Sequence, residues 1–421
     1  ARREGRALTL AAYRAIGGGG RAPPPPARGG SCGPPRDPPA LPPFSSRPPL
    51  AGLALAAIFF FLPAAPSIAA EPTFRVATYN SSLFRDSAGQ LVRDLETGTN
   101  EQAQKIAEVI QRIRPDILLV NEFDFDVDGR AAELFREKYL AVGQNGLEPI
   151  RYLDHYIGPV NTGKPSGMDL NKNGRTNDPQ DAFGFGQHEG QYGMLVLSRF
   201  PIAKEFARTF QTFLWRKMPD ALLPVDPATG EPYYSDGAVA ILRLSSKSFW
   251  DVPIKIPATG ATPAWKLHLL VSHPTPPVFD GPEDRNGRRN HDEIRLLADY
   301  ISSDGNEYLI DDAGGRGGLA ADASFVILGD LNCDPVDGQG VPGTMNQLLK
   351  HPRVNSDFTP ASAGAKHAAE AKQNPREIGQ GDPTHDTSNF GEYQNLRIDY
   401  ALPSRGLKIV DSGVFWPLPE E

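Results

Sequence analysis

Cysteine is scarce in this chain of 421 residues, which contains only Cys32 and Cys333. Because one of the two lies in a proline-rich head, no disulfide framework can be built, and the small disulfide-stabilised domains are excluded. A long apolar run is missing as well. The uncharged apolar stretch at 50–62, LAGLALAAIFFFL, has thirteen residues and is too short to span a bilayer.

Lysine is absent from residues 1–50, which hold eight Arg against Glu4 and Asp37 and therefore carry a net charge of +6. Since the whole chain carries −8, residues 51–421 carry −14. An acidic body argues against a protein that holds nucleic acid mainly by neutralising many phosphates. It does not exclude an enzyme in which a bound metal ion supplies the local positive charge.

The apolar stretch at 50–62 has the flanks of a secretory signal. Arg47 precedes it, and the small-residue sequence SIA follows at 67–69. This pattern predicts a signal peptide over residues 50–70, with cleavage near Ala69 or Ala70, and a secreted or periplasmic protein. A buried core helix and a retained membrane anchor are the alternatives.

Residues 1–49 precede this signal and hold 12 Pro and 8 Gly, and the first Met of the chain is Met168. We interpret them as a disordered leader rich in Pro, Gly and Arg, or as upstream sequence translated in frame, and assign them no fold. With 39% hydrophobic residues, the chain has enough apolar side chains for a packed core. Residues 71–421 are predicted to form one α/β domain.

The first elements of that domain form a strand–helix–strand unit. The run 74–79 is typical of a strand, Asn100 is placed to cap a helix with isoleucines at helical spacing, and 117–120 is typical of a buried parallel strand. Asn80 and Glu122 follow the two strands at their carboxyl ends, where open α/β sheets place their sites.

The rest of the domain alternates short strands with long loop insertions. Loop-rich stretches cover 124–190 and 205–236. A helix is predicted to begin at the cap Asn290, with His291 at its start and an apolar face beyond. Further strands are predicted at 194–197, 238–244, 266–272, 325–328 and 396–402.

Polar side chains follow three of the predicted strands. They are Asn80, Glu122, and the pair Asp330 with Asn332. Each one alone is explained by the preference of turns for Asp and Asn. Together they favour a site for a hard divalent ion such as Mg²⁺, which takes carboxylate oxygens and leaves positions open for a scissile phosphate.

Six short motifs, in this order, resemble the endonuclease/exonuclease/phosphatase family, whose members include deoxyribonuclease I, apurinic endonucleases, sphingomyelinases and inositol phosphatases. The motifs are TYN at 78–80, VNEFD at 120–124, MLVLSRFPI at 194–202, LLVSHP at 269–274, ILGDLN at 327–332 and RIDYAL at 397–402. The resemblance implies a two-sheet α/β sandwich like that of deoxyribonuclease I, here with long loop insertions.

The resemblance also implies roles for the polar strand ends. Glu122 resembles the metal-binding carboxylate of the family, with Asn80 beside it as a metal or substrate ligand. Asp330 resembles the residue that activates or positions the attacking water, and Asn332 resembles its partner that holds the phosphate.

Two further residues take catalytic roles by resemblance. His273 resembles a histidine that donates to a nonbridging phosphate oxygen, and a loop cap before Pro274 is the alternative. Asp399 resembles a carboxylate that orients a catalytic histidine, and an ion pair with Arg397 or Arg405 is the alternative.

One part of the family pattern is missing. Family members carry a Ser-Asp-His segment on the strand after the RIDY motif, whereas this chain runs from Val414 to Glu421 without it. We interpret the chain as a fragment at both ends, with an evolved loss of the segment as the alternative; the activity of the chain as given depends on that missing segment. His385 is a substitute for the missing histidine in principle, but its place before the last strand favours a turn residue.

A second metal-ligand pattern lies in a loop that begins at Asp169. Asp169, Asn171 and Asn173 present oxygens at alternate positions, and Gly174 provides for a sharp turn, as in calcium loops. Position twelve is Gln180 rather than Glu, and no flanking helices are evident. The pattern predicts a Ca²⁺ site, with a plain Asn/Gly/Asp turn as the alternative.

The dense basic cluster of the chain consists of Arg285, Arg288 and Arg289. Arg288 is the candidate substrate-binding residue, because a nearby helix N-terminus favours a phosphate. Internal pairing with neighbours such as Glu283 and Asp284 is the alternative.

These features together predict a secreted phosphoesterase that depends on Mg²⁺ or Mn²⁺ and splits a phosphodiester by in-line attack of water. Its substrate is expected to be nucleic acid, a phospholipid head group or a small phosphate ester. No stable protein partner is predicted, and the protein is expected to be a monomer. The alternative is a catalytically inactive binding or structural member of the same fold.

Overall fold

The structure is a computed structural model. It describes residues 8–15, 73–259, 263–371, 379–391 and 393–420 of the chain. The chain divides into two compact units, residues 1–16 with 71–421, and residues 17–70. The second unit lies outside the described residues, and so does the predicted signal peptide.

Thirteen strands run through the described residues. They are β1 Leu8–Ala15, β2 Thr73–Leu83, β3 Ile117–Phe123, β4 Asp154–Ile157, β5 Met194–Ser198, β6 Arg208–Thr209, β7 Phe249–Ile256, β8 Trp265–Ser272, β9 Ser324–Asp330, β10 Ser388–Asn389, β11 Asn395–Leu396, β12 Asp399–Pro403 and β13 Leu407–Phe415.

Seven α-helices accompany these strands in the described segments. They are α1 Gln90–Leu95, α2 Glu101–Ile113, α3 Arg130–Leu134, α4 Asp236–Ile241, α5 Arg285–Ile301, α6 Asn346–Leu349 and α7 Ala363–Glu370. None of the helices described is both long and apolar enough to cross a bilayer.

The strands form two mixed sheets that pack face to face. The order is β13-β1-β2-β3-β5-β4 in the first sheet and β12-β9-β8-β7-β6 in the second, with β10 and β11 as a separate pair. Neighbours are antiparallel except β2 with β3 and β8 with β9, which are parallel. The predicted two-sheet α/β sandwich is therefore confirmed.

Three hydrophobic clusters hold the sandwich together. The middle cluster lies between the sheets and includes Val76 and Leu119 of the first and Val252 and Leu269 of the second. The outer clusters lie between each sheet and its helices, α1 to α3 on the first and α5 on the second. Because both of its faces are covered, every residue of β3 is buried, which explains its continuous apolar run.

The predicted strand–helix–strand unit is confirmed. The side chain of Asn100 accepts a hydrogen bond from Ala103 N at 3.0 Å and caps α2, which ends at Arg114 in the left-handed conformation. Strands β2 and β3 then lie parallel, with Asn80 opposite Asn121 in register. Asn80 and Glu122 therefore reach the same end of the first sheet.

Three predictions about local structure are wrong in the type or the bounds of the element. Residues 238–244 were expected to be a strand, but α4 covers Asp236–Ile241, because Ser235 caps Ala238 N and a short apolar run suits either structure. The helix expected to begin at Asn290 begins at Arg285 instead, and Asn290 is fully buried inside it. The strand predicted at 396–402 is split into β11 and β12.

Strand β1 lies in the head for which the sequence predicts no fold. Its backbone pairs antiparallel with β2 on one side and β13 on the other. The physical reason is that an exposed strand edge presents a row of free N–H and C=O groups that a further strand can satisfy. The remainder of the head lies outside the described residues.

Candidate active site

The carboxyl ends of the two parallel strand pairs meet at one edge of the sandwich. Asn80 of β2 donates its Nδ2 to Glu122 Oε1 of β3 at 3.0 Å and to Asp330 Oδ2 of β9 at 2.9 Å. One amide group thus bridges carboxylates from different sheets. The Asn80 Oδ1 accepts from Ser82 N at 3.2 Å, so in this arrangement the amide nitrogen faces the carboxylates.

His273, which directly follows β8, completes a compact group of ligand atoms. One atom each from Glu122, His273 and Asp330 lies within 4.8 Å of the others, and all three residues are buried. His273 Nε2 is 3.7 Å from Asp330 Oδ2. Within the described segments this is the one place where three His, Cys, Asp or Glu ligands converge in this way.

Two backbone positions in this group have unusual conformations. Glu122 has φ +58° and Asn332 has φ +52°, both in the left-handed region. Asn tolerates this region, but Glu does so less readily. Such conformations are retained where the surrounding structure enforces them, commonly at functional sites.

Asn332 connects the turn after β9 to the segment after β8. Its backbone N–H donates to Asp330 Oδ1 at 3.1 Å, and its Nδ2 donates to Pro274 O at 3.0 Å. Asn332 therefore connects Asp330 to the residue that follows His273, which helps to fix the distance between these two side chains.

Asp399 lies directly opposite Asp330 in the antiparallel pair β12 and β9. Its Oδ2 accepts from the hydroxyl of Thr387 at 2.9 Å, and the same hydroxyl accepts from the backbone N–H of Ile398 and of Asp399. Thr387 was not predicted from the sequence. A single Thr in a loop does not indicate a role in a site, because Thr387 contacts Asp399 only after the chain has folded back against β12.

The structure also shows the contacts of Arg397, Arg405 and His385, on which the alternative interpretations of this region rest. Arg405 bonds to Pro352 O at 2.9 Å and lies 3.7 Å from Asp357, whereas Arg397 lies over the Tyr400 ring. His385 lies in a 3₁₀ turn at Pro383–His385, and its Nδ1 is 2.9 Å from Pro360 O. The turn interpretation of His385 matches this geometry.

Lys247 is a buried cation that does not belong to the predicted site residues. The residue is 6% exposed. Burial lowers the pKa of its ammonium to about 8, against the opposing effect of the negative charges on Glu293, Glu122 and Asp330. The sequence around it, SSKSFW at 245–250, has serines on both sides of the Lys and is typical of an exposed loop. Strand β7 was not predicted after it, so no pattern in the sequence placed Lys247 near the site.

The basic cluster is engaged mainly within the protein. Arg285 forms an ion pair with Glu283, and the guanidinium of Arg289 donates to backbone carbonyls, among them Leu244 O at 2.7 Å. Arg288 lies in the first turns of α5, and its Nε has no hydrogen-bond partner among the described residues. Internal pairing thus accounts for Arg285, while substrate binding by Arg288 stays a prediction.

The predicted calcium loop has no helix on either side of it in the structure. Asp169 accepts from Asn173 N at 3.0 Å and from Gly174 N at 2.8 Å. The side-chain amides of Asn171 and Asn173 both donate to Asp178. The side chains of Asp169, Asn171, Asn173 and Asp178 therefore lie close together within one loop.

Comparison with known proteins identifies the family. Residues 77–420 match the model of the Endonuclease/Exonuclease/phosphatase family. The chain belongs to this family. No curated protein matches the chain.

Several solved structures are similar at low identity. An endonuclease/exonuclease/phosphatase from Beutenbergia cavernae is 17% identical with a TM-score of 0.42, over 79% of this chain but only 64% of that one. Sphingomyelinase C from Streptomyces griseocarneus is 16% identical with a TM-score of 0.39, over 80% and 85%. A beta toxin variant from Staphylococcus aureus, with bound magnesium ions, is 14% identical with a TM-score of 0.35, over 79% and 83%.

Replacement of Lys247 by Met should remove a pH-dependent contribution to stability. The pKa of Lys247 is about 8 in the folded protein against 10.5 ordinarily, so between these values the unfolded chain binds more protons and stability rises with pH. We expect the wild type to gain on the order of 2–3 kcal/mol over Lys247→Met across this range. Urea denaturation at several pH values, with chelator present, measures this difference.

The matched control is Lys255→Met on strand β7, which begins two residues after Lys247; the Lys255 side chain is about half exposed. Its difference from the wild type should stay nearly constant over the same pH range. An equally constant difference for Lys247→Met would contradict a buried ammonium at the site.

Proposed function

We propose that this protein is a metal-dependent hydrolase that cleaves a phosphodiester by in-line attack of water. The observation that supports this most directly is the buried group of Glu122, His273 and Asp330, with Asn80 bridging the two carboxylates. Family membership supports the same bond type, because endonucleases, exonucleases and phosphatases all act on phosphoester bonds.

The donor set fits a divalent ion such as Mg²⁺ or Mn²⁺. Glu122 and Asp330 offer hard carboxylate oxygens in a buried setting, where two like charges are unfavourable unless a cation or donors compensate them. These two residues would hold the ion, with Asn80 beside them. When bound, the ion supplies Lewis-acid stabilisation of the phosphate charge.

The protein's own groups take the remaining roles. Asp330, oriented by the Asn332 N–H, is placed to position the attacking water and accept its proton. His273 Nε2 is placed to donate to a nonbridging phosphate oxygen beside Asp330. Asp399, whose Oδ2 accepts from the Thr387 hydroxyl, would orient a catalytic histidine through its ring N–H.

The substrate class stays open among nucleic acid, a phospholipid head group and a small phosphate ester. The charge of −14 over residues 51–421 argues against tight binding of a long polyanion. We also propose that the segment at 50–70 is a signal peptide that directs the protein to the periplasm or out of the cell.

Removal of either carboxylate should lower turnover strongly while leaving the fold intact. Glu122→Gln and Asp330→Asn should each lower Mg²⁺- or Mn²⁺-dependent hydrolysis of a chromogenic phosphodiester by on the order of 10²–10³-fold. A chelator should have the same effect on the wild type. Initial rates and melting temperatures, measured on the same preparations, separate loss of catalysis from loss of folding.

Asp251→Asn is the matched control, because Asp251 is an equally buried carboxylate that pairs with His268 and Tyr300 away from the site. It should lower the melting temperature and retain most of the activity. Unchanged turnover in both site variants would contradict the assignment, and wild-type inactivity on all three substrate classes would favour a non-catalytic member.

We also propose that the loop at Asp169 binds Ca²⁺. The support is the convergence of Asp169, Asn171 and Asn173 with Asp178, all oxygen-bearing side chains of the type that Ca²⁺ prefers. This site is independent of the carboxylate pair at the sheet edge.

Binding to the folded state alone raises stability with ligand concentration. Ca²⁺ should therefore raise the melting temperature of the wild type, and Asp169→Ala should abolish the rise. Asp226→Ala is the control, because Asp226 forms an ordinary turn with Ala228. Differential scanning calorimetry over a Ca²⁺ series measures the effect, and an equal rise in Asp169→Ala would show that the loop is only a turn.

A further inference from the structure

Helix α5 presents two buried polar side chains to the site. Asn290 is fully buried and Glu293 is 3% exposed, although an interior usually excludes such groups. They are three residues apart and so lie on the same face of the helix. None of the roles proposed above involves either residue.

The Glu293 carboxylate clamps two separate backbone segments. One oxygen accepts from Ser246 N at 2.6 Å and the other from Thr275 N at 2.6 Å. Ser246 immediately precedes Lys247, and Thr275 lies two residues after His273. Hydrogen bonds from N–H groups to a buried carboxylate are short and strong, so both segments are held firmly.

Asn290 extends the clamp to a third segment. Its Nδ2 donates to Thr275 O at 2.8 Å and to Leu331 O at 2.9 Å. Leu331 lies between Asp330 and Asn332. One helix face therefore contacts the backbone beside Lys247, His273 and Asp330.

Charge explains why a carboxylate is suited to this place. The Lys247 ammonium lies near three negative groups, and Glu293 is the one outside the proposed ion site. A buried ammonium requires a fixed counter-charge. Among these groups Glu293 has the largest electrostatic effect on the ammonium, and its carboxylate also holds the backbone of the adjoining residue.

We propose that Glu293 is a positioning residue of the active site, which holds the segments of Lys247 and His273 against Asp330. The inference rests on the proposed function for its effect on turnover. Gln at this position retains the shape of the side chain but replaces one acceptor by an NH₂ group, so one backbone N–H loses its partner. Displacement of a catalytic group by about 1 Å costs about 10²-fold in rate.

The preceding residue provides a matched control. Asp292 is also a fully buried carboxylate of α5, but it accepts from Trp215 Nε1 at 2.6 Å and from Leu222 N at 2.7 Å, outside the site. Both of these N–H groups bond to Oδ2 of Asp292, and His291 Nδ1 lies 2.9 Å from its Oδ1. Asp292→Asn thus removes a buried charge from the same helix as Glu293→Gln, while the amide oxygen of Asn can keep both N–H bonds. It controls for the loss of a buried carboxylate on α5, and both variants should have lower melting temperatures than the wild type.

The experiment compares these variants by two readouts. With Mn²⁺ and a chromogenic phosphodiester, Glu293→Gln should lower kcat by about 10²-fold with little change in KM, and Asp292→Asn should retain kcat. Glu293→Asp, which keeps the charge but is shorter, should give an intermediate kcat. In metal-free ¹³C-histidine NMR, the His273 ring signal, assigned with His273→Gln, should shift in Glu293→Gln and not in Asp292→Asn.

Equal losses of kcat in Glu293→Gln and Asp292→Asn, or an unmoved His273 signal in Glu293→Gln, would overturn the proposal. If the wild type hydrolyses no phosphodiester, the proposed function fails, and the His273 signal alone then decides whether Glu293 positions that residue. If Glu293→Gln does not fold, the same two readouts on Glu293→Asp decide the matter.

Discussion

The amide of Asn80 joins the two sheets at the edge where the candidate active site lies. It donates to Glu122 of the first sheet and to Asp330 of the second, and the Asp330 N–H in turn donates to Asn121 of β3 at 3.3 Å. Buried polar groups are tolerated only when hydrogen-bonded. The contacts that close the sandwich at this edge are therefore also the contacts that set the distance between the two carboxylates.

Helix α5 plays the corresponding part from the outer side of the second sheet. Its apolar residues, such as Ile294 and Leu297, pack in the outer core, while Asn290 and Glu293 bind the turns after β8 and β9 and the entry to β7. Loops that carry functional groups are mobile unless a rigid element supports them. A helix with one mixed face thus combines packing of the core with support of the site.

Much of this arrangement could be predicted from the sequence, because it is encoded locally. The spacing of isoleucines and the cap Asn100 predict α2, the continuous apolar run predicts β3, and polar residues at strand ends predict that Glu122 and Asp330 share a site. The errors fall where a local pattern is ambiguous or where distant contacts decide. Residues 238–244 carry a pattern that suits either structure, and Asn290 resembles a cap until its partners Thr275 and Leu331 are known. Lys247 was missed for the same reason, since Glu122 and Asp330, which lie near it, are far away in the sequence. Thr387 was missed because its role depends on a turn that brings it back against Asp399, twelve residues later.

The charges at the site link its proposed chemistry to the stability of the fold. Glu122, Asp330 and Glu293 act on the single ammonium of Lys247, and the Asn80 amide contributes no net charge. Negative charge in excess within a buried region raises the free energy of the folded state, since each carboxylate loses solvation and repels the others. A divalent cation would relieve that repulsion, and whatever binds only the folded state stabilises it. The excess of carboxylates that would let the site bind a metal ion thus also lowers the stability of the folded state. The site lies at the carboxyl ends of the strands, where Asn80, Asn121 and Asn332 form hydrogen bonds with its residues. These hydrogen bonds reduce the loss of stability without removing the charge.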